Sequence, residues 1–258
     1  MRTSKVRADA LLTAQGLAEN TDKAARLIMA GQVCLCTDTT QTLVDKPGQL
    51  LPSTARLEVC ARERFVSRGG EKLQSALEHF ALDMRGVVAL DAGASTGGFT
   101  DCLLQAGAVR VYAVDVGHGQ LHWKLRQDAR VINMERINLR LAPPDLLPEQ
   151  VDVLVVDCSF ISLKQILPPC LSYVRPGGQM LALIKPQFEV HARDTDKGVV
   201  RSEALRLQAV ADIEAFVRDQ LGLIAHGSIP AGIKGPKGNQ EYILYCSLRS
   251  EDAPPCDH

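Results

Sequence analysis

The chain has 258 residues, 29 Lys and Arg against 30 Asp and Glu, and 46% hydrophobic residues, a composition that fits a folded globular protein and excludes a disordered or strongly polycationic one. No segment nears the roughly 18–20 apolar residues of a membrane helix, and the amino terminus shows no apolar leader core or small-residue cleavage site, so a cytoplasmic protein is expected. The eight cysteines form no C-x-x-C and no Cys/His cluster at metal spacing, which predicts buried reduced thiols and no metal.

The charge is unevenly spread: residues 1–72 hold 11 basic and 8 acidic side chains, a mild positive excess that turns the amino-terminal part toward a polyanion. There the apolar spacing predicts a helix over 6–17 and a second over 22–30, capped by Thr21, with Ala25, Ile28 and Met29 inward and Gly31 just past its end. Short extended pieces follow at 33–37 and 56–60, making two helices and a small sheet within residues 1–61. Residues 62–70 (Arg-Glu-Arg-Phe-Val-Ser-Arg-Gly-Gly) lack any period and read as a linker. From residue 71 onward helical spacing returns, and strands expected at 87–91, 109–114, 130–133, 151–157 and 179–185 alternate with helices near 97–107, 162–174 and 202–221. Such alternation predicts a parallel sheet covered on both faces. Two last extended runs, 224–229 and 241–248, are joined only by a loop, so one of them is expected to run antiparallel. Residues 251–258 read as a polar tail.

The most informative stretch is Val87 to Thr100, an apolar strand that ends in Asp91 and enters a glycine-rich turn. Glycines there let backbone approach a ligand at the carboxyl end of a strand. A dinucleotide fingerprint requires G-x-G-x-x-G, whereas Ser95 stands where its second glycine belongs. The pattern Asp91, Gly93, Ser95, Thr96, Gly97, Gly98, Phe99 suits S-adenosylmethionine better, a ligand without phosphate that needs carboxylate acceptors more than a positive helix end. The next strand ends at Asp115, placed to accept ribose hydroxyls. Glu135 and Asn138, after the third strand, are candidates to reach the adenine.

Two further strands close on polar residues, Asp157 and Lys185. A lysine that ends a fully apolar strand must reach a cleft or bear a large desolvation cost. With Lys72 on the helix after the linker and Glu241 at the start of the final strand, two ammonium groups and two carboxylates are expected to share one cleft. Methyl transfer from a sulfonium needs positioning and deprotonation of a weak nucleophile. Lys185 acting as base, oriented by Asp157 and Glu241, fulfils that, and so does a pair of charged lysines stabilising an alkoxide.

These residues carry a family resemblance. The blocks Val66-Ser67-Arg68-Gly69-Gly70-Glu71-Lys72-Leu73, Asp91 to Thr100, Asp115-Val116-Gly117-His118-Gly119-Gln120-Leu121, Asp157-Cys158-Ser159-Phe160-Ile161-Ser162-Leu163, Lys185-Pro186-Gln187-Phe188-Glu189 and Gly238-Asn239-Gln240-Glu241 stand in the order of the TlyA family, which the chain resembles over nearly its whole length. The resemblance implies a Rossmann-like, S-adenosylmethionine-dependent methyltransferase fold similar to the FtsJ group, a mostly parallel seven-stranded α/β sheet at 71–250. It also implies an S4-like α+β RNA-binding domain before it. It further implies a catalytic tetrad of Lys72, Asp157, Lys185 and Glu241, 2′-O-methylation of a cytidine ribose in ribosomal RNA, and ribosomal subunits as partners. Lys5, Arg7, Lys23, Arg26 and Arg68 are the candidate RNA contacts, with the Arg68–Gly70 linker coupling RNA docking to cofactor binding. Three rival readings are a noncatalytic assembly factor that keeps the fold, an oxidoreductase, and the membrane-active protein suggested by the family's older haemolysin label.

Overall fold

A computed structural model describes residues 4–37, 40–59, 64–235 and 237–250. The chain divides into two compact units, Met1–Glu63 and Arg64–His258. The expected tail 251–258 and linker positions 62–63 lie outside the described residues.

In the first unit, β1 (Lys5–Arg7) leads into α1 (Ala8–Ala14) and α2 (Thr21–Met29), followed by β2 (Val33–Cys36), β3 (Gln41–Leu43), β4 (Leu50–Pro52) and β5 (Arg56–Val59). Two antiparallel sheets result, β1 with β4 and β3-β2-β5. The expected helix from residue 6 therefore starts later, because residues 5–7 pair with 50–52. Asn20, not Thr21, caps α2: its side chain accepts from Lys23 N at 2.8 Å, and Thr21 is the first helical residue. Ala24 and Ile28 form the buried face while Met29 is exposed. Gly31 sits at φ +69° past the helix end, as read from sequence. Ala8, Leu12, Ile28, Val33 and Leu57 close a small core.

The second unit begins with α3 (Gly69–His79) and continues β6 (Val88–Ala92), α4 (Gly98–Gln105), β7 (Arg110–Asp115), α5 (Trp123–Arg126), β8 (Val131–Glu135), β9 (Val151–Val156), α6 (Leu163–Leu171), β10 (Val174–Ile184), α7 (Pro186–Glu189), α8 (Glu203–Asp219), β11 (Ile224–Pro230) and β12 (Tyr242–Ser247). Its sheet has the order β11-β12-β10-β9-β6-β7-β8. β12 is antiparallel to both neighbours and the rest are parallel, the mostly parallel seven-stranded α/β sheet expected. Gly69 and Gly70, read as linker, form the first turn of α3. β10 starts five residues earlier than its apolar run suggests, with a register shift between Val174 and Gln179 where Pro176-Gly177-Gly178 interrupts the pattern.

Strand alternation sorts the core into two layers. Leu90, Val114, Leu154 and Ala182 face α6 and α8 through Ile166, Leu167, Ile213 and Val217. Ala89, Val111, Val155 and Leu183 face α3 and α4 through Leu73, Leu77, Phe99 and Leu103. Because β12 runs against the parallel strands, its start lies at the edge where they end. Asp115, Asp157, Lys185 and Glu241 are thereby gathered at one end of the sheet. No helix of the described residues is long and apolar enough to cross a membrane.

Candidate active site

The turn after β6 is built on left-handed backbone, with Gly93 at φ +86°, Ser95 at +49° and Gly97 at +94°, the last capping α4. Gly98 is required for a different reason. A Cβ there would fall on the Ser67 hydroxyl, 2.9 Å from Gly70 N and 3.1 Å from Gly69 Cα, so the start of α3 rests directly on the start of α4.

Asp91 is fully buried below this turn. Its Oδ2 accepts the Thr100 hydroxyl at 2.6 Å, whereas Oδ1 is buried without a partner. Burial pushes the Asp91 carboxyl up to about 7, against the opposing pull of the Thr100 hydrogen bond. An orphaned acceptor of this kind is satisfied by a cationic or strongly donating ligand group. Asp115 turns inward at the end of β7, where Oδ2 accepts Ser95 N at 2.8 Å and Oδ1 accepts Gly117 N at 2.6 Å. It holds the glycine turn in place while its remaining lone pairs face the neighbouring cavity.

Three adjoining cavities share Gly93, Ser95 and Asp157 as walls. The first, about 210 Å³, includes Arg68, Lys72, Asp91, Thr96, Gly98 and Phe99. The second, about 470 Å³, combines Asp115 and Asn138 with the apolar Val116, Leu139, Ile161 and Ile166, suited to a flat ring with a polar rim. The third, about 540 Å³, is lined by Lys72, Asp157, Lys185 and Glu241, so the three strand-end residues and Lys72 of α3 face one space.

They form two ion pairs, one buried and one half-buried through Asp157. Lys72 Nζ stands 2.5 Å from Glu241 Oε2, with side chains only 9% and 2% exposed, and Gln187 Nε2 donates to Glu241 Oε1 at 3.4 Å. Lys185 Nζ stands 2.6 Å from Asp157 Oδ1. This contact is a close ion pair without hydrogen-bond alignment; the aligned bonds of Lys185 go to Ser159 Oγ at 2.8 Å and the Asp157 carbonyl at 3.3 Å. Buried ion pairs seldom add net stability over apolar packing, so a buried pair and a half-buried one on a single cavity mark a place kept for chemistry.

Other expected residues are placed differently. Glu135 lines none of these cavities: it accepts from Gly119 N at 2.9 Å, faces His118 Nδ1 at 2.7 Å and pairs with Arg126. The Gly119 amide is the main reason its carboxyl is held at about 2. Asn138 lines the second cavity and accepts Arg140 N at 3.1 Å. Lys5, Arg7, Lys23 and Arg26 belong to the first unit. Lys5, Lys23 and Arg26 are exposed, while Arg7 Nη2 is paired with Asp9 at 2.5 Å. Sequence reasoning passed over Thr100, Ser159 and Gln187. Ser159 and Gln187 are polar residues just past the ends of β9 and β10, and that proximity is the signal available for them; Thr100 lies inside α4 and carries no such signal.

The sequence matches the FtsJ-like methyltransferase family over residues 65–247. The chain is 40% identical over 252 residues to Mycobacterium tuberculosis TlyA, named a 16S/23S rRNA (cytidine-2′-O)-methyltransferase, covering 96% of this chain and 92% of that protein. The chain is a member of the TlyA family of FtsJ-like methyltransferases. Bacillus subtilis YqxC is 42% identical over 248 residues, 95% of this chain and 86% of its own length. A solved structure of a haemolysin-named protein from Streptococcus thermophilus shares 40% identity at a TM-score of 0.72, over 99% of this chain and 92% of that one. Membership in the TlyA family displaces the oxidoreductase reading, in keeping with the serine at the dinucleotide glycine position.

Proposed function

We propose that this chain transfers the methyl group of S-adenosylmethionine to the 2′-hydroxyl of a ribose in ribosomal RNA, with a cytidine as target. What carries the reading is the convergence of two Lys–carboxylate pairs, one buried and one half-buried, on one cavity whose walls continue to the orphaned Asp91 oxygen. The residues fit the cofactor. Asp91 offers an acceptor for its ammonium group, Asp115 offers one for the ribose hydroxyls, and the apolar wall at Val116 and Leu139 suits the adenine. When bound, the cofactor supplies a methyl on a sulfonium whose leaving group is a neutral thioether.

The chain's own task is then to orient and deprotonate a hydroxyl. Lys185 receives the hydroxyl proton, and Asp157 holds its amine toward the cavity. Lys72, held by Glu241, places positive charge where the alkoxide develops. Residues 1–61 act as an S4-like RNA-binding module with Lys5, Lys23 and Arg26 on its exposed surface, and Arg68 reaches RNA from beside the cofactor turn. The protein works on ribosomal subunits in the cytoplasm. Lys185→Ala tests the chemistry: methyl transfer should vanish while S-adenosylmethionine and RNA still bind. An active Lys185→Ala enzyme would sink the mechanism, and a wild-type chain that binds both ligands without transfer would point to the assembly-factor role.

A further inference from the structure

We infer that Ser159 is a positioning residue for Lys185, holding the amine in one place through both of its protonation states; the inference rests on Lys185 being the base. An ammonium group has three protons and no lone pair, and a neutral amine has two protons and one lone pair. Lys185 Nζ has three oxygen neighbours: Asp157 Oδ1 at 2.6 Å, Ser159 Oγ at 2.8 Å and the Asp157 carbonyl at 3.3 Å. Two of them, Ser159 Oγ and the Asp157 carbonyl, take aligned hydrogen bonds from the charged form, and the carboxylate adds an ion pair. Once the proton is lost, the carboxylate and the carbonyl remain acceptors only and have nothing to offer the new lone pair. Ser159 alone among the three carries a hydrogen, so its hydroxyl rotates and donates to the lone pair.

The location supports that role. Ser159 lines both the apolar second cavity and the third cavity with its four charged residues, and the amine it touches is 9% exposed. Phe160, the next residue, takes φ +64°, a left-handed conformation uncommon for a bulky side chain. The turn lies on the wall itself, which Ser159 and Phe160 share in both cavities. An incoming ribose hydroxyl then meets an amine already oriented, and the serine yields its place at the lone pair by rotating about one bond.

Losing one hydrogen bond to a group that is charged for part of the cycle corresponds to about a tenfold fall in rate. Four variants test this: Ser159→Ala, Ser159→Thr, Lys185→Ala and the double alanine. In Ser159→Ala, kcat should fall about tenfold with the KM for RNA and the Kd for S-adenosylmethionine unchanged. Ser159→Thr, which keeps the hydroxyl, should return most of the rate. In the Lys185→Ala background, where transfer is already lost, Ser159→Ala should cost no further stability in urea unfolding, because its partner is gone.

A readout independent of turnover is acylation of Lys185 by acetic anhydride in the RNA-free protein, followed by mass spectrometry. Ser159→Ala should change its rate several-fold and Ser159→Thr should restore it. A Ser159→Ala enzyme within twofold of wild type in kcat and acylation overturns the inference, and so does equal damage in the Ala and Thr variants with weakened cofactor binding. Full activity in Lys185→Ala would instead overturn the parent reading, with the acylation comparison still deciding whether Ser159 holds the amine.

Discussion

Replacing Lys72 by Met should separate the stability of this protein from its chemistry. Lys72 and Glu241 stand 2.5 Å apart with side chains 9% and 2% exposed, so removing the ammonium leaves a buried carboxylate whose remaining partner is the long 3.4 Å bond from Gln187. Breaking a buried pair from one side costs about 3–5 kcal/mol. The weak Gln187 contact compensates little of the stranded charge, which puts the expected loss near the upper end, about 5 kcal/mol. Converting both members in Lys72→Met/Glu241→Leu removes the stranded charge along with the pair, and most of the loss should be recovered. Equilibrium urea unfolding of wild type, the single and the double variant reads this as a shift of the midpoint at constant slope. Methyl transfer should be lost in both variants. A single variant destabilised by less than about 1 kcal/mol, or a double variant as unstable as the single, would refute the view of the pair as costly to the fold and kept for function.

Asp91 gives a pH signature. Burial raises its carboxyl from 3.8 to about 7, so its contribution to stability is fully present below pH 3.8 and is lost as pH rises through 7. Asp91→Asn should therefore match wild type near pH 4 and exceed it at pH 8 by up to about 4 kcal/mol in urea unfolding, while binding S-adenosylmethionine more weakly by calorimetry; equal stability at both pH values would contradict the buried-carboxyl account. Gly98→Ala places a methyl against the Gly69–Gly70 backbone and should lower the Tm and weaken cofactor binding more than tenfold. Unchanged binding would show that the contact between α3 and α4 does not shape the turn. Lys23→Glu with Arg26→Glu should weaken RNA binding and reduce the slope of log K against log salt by about 1.5 with cofactor affinity intact; an unaltered slope would remove these two residues from the RNA surface.

The second unit was legible in sequence because its inner strands β6, β7, β9 and β10 are buried on both faces and read as apolar runs ending at Asp91, Asp115, Asp157 and Lys185. Where a single run was broken, as at Pro176-Gly177-Gly178, the strand was read too short, since its pairing there depends on a register shift that periodicity does not carry. The first unit was less legible. Three-residue strands such as Lys5–Arg7 and Gln41–Leu43 are defined by their partners rather than by alternation. Asn20 outcompeted Thr21 as cap because its carbonyl reaches Lys23 N, a choice of one residue that composition leaves open. Within the site, Asp157, Lys185 and Glu241 could be selected from strand ends and Lys72 from the helix after the linker, yet their pairing could not. Lys185 meets Asp157 because β9 and β10 are parallel neighbours that end side by side, Lys72 meets Glu241 because α3 packs against β12, and Glu135 is withdrawn from the cavity by Arg126 and the Gly119 amide, partners that only folding brings near it.

The most direct test of methyl transfer to ribosomal RNA is to incubate the protein with S-adenosylmethionine carrying a labelled methyl group and purified small subunits, large subunits or intact ribosomes, then map the modified nucleotide. Label on the 2′-oxygen of a cytidine ribose, absent with Lys185→Ala, is the predicted result. Label on a base, or no transfer to any of the three substrates while the cofactor binds, would contradict it.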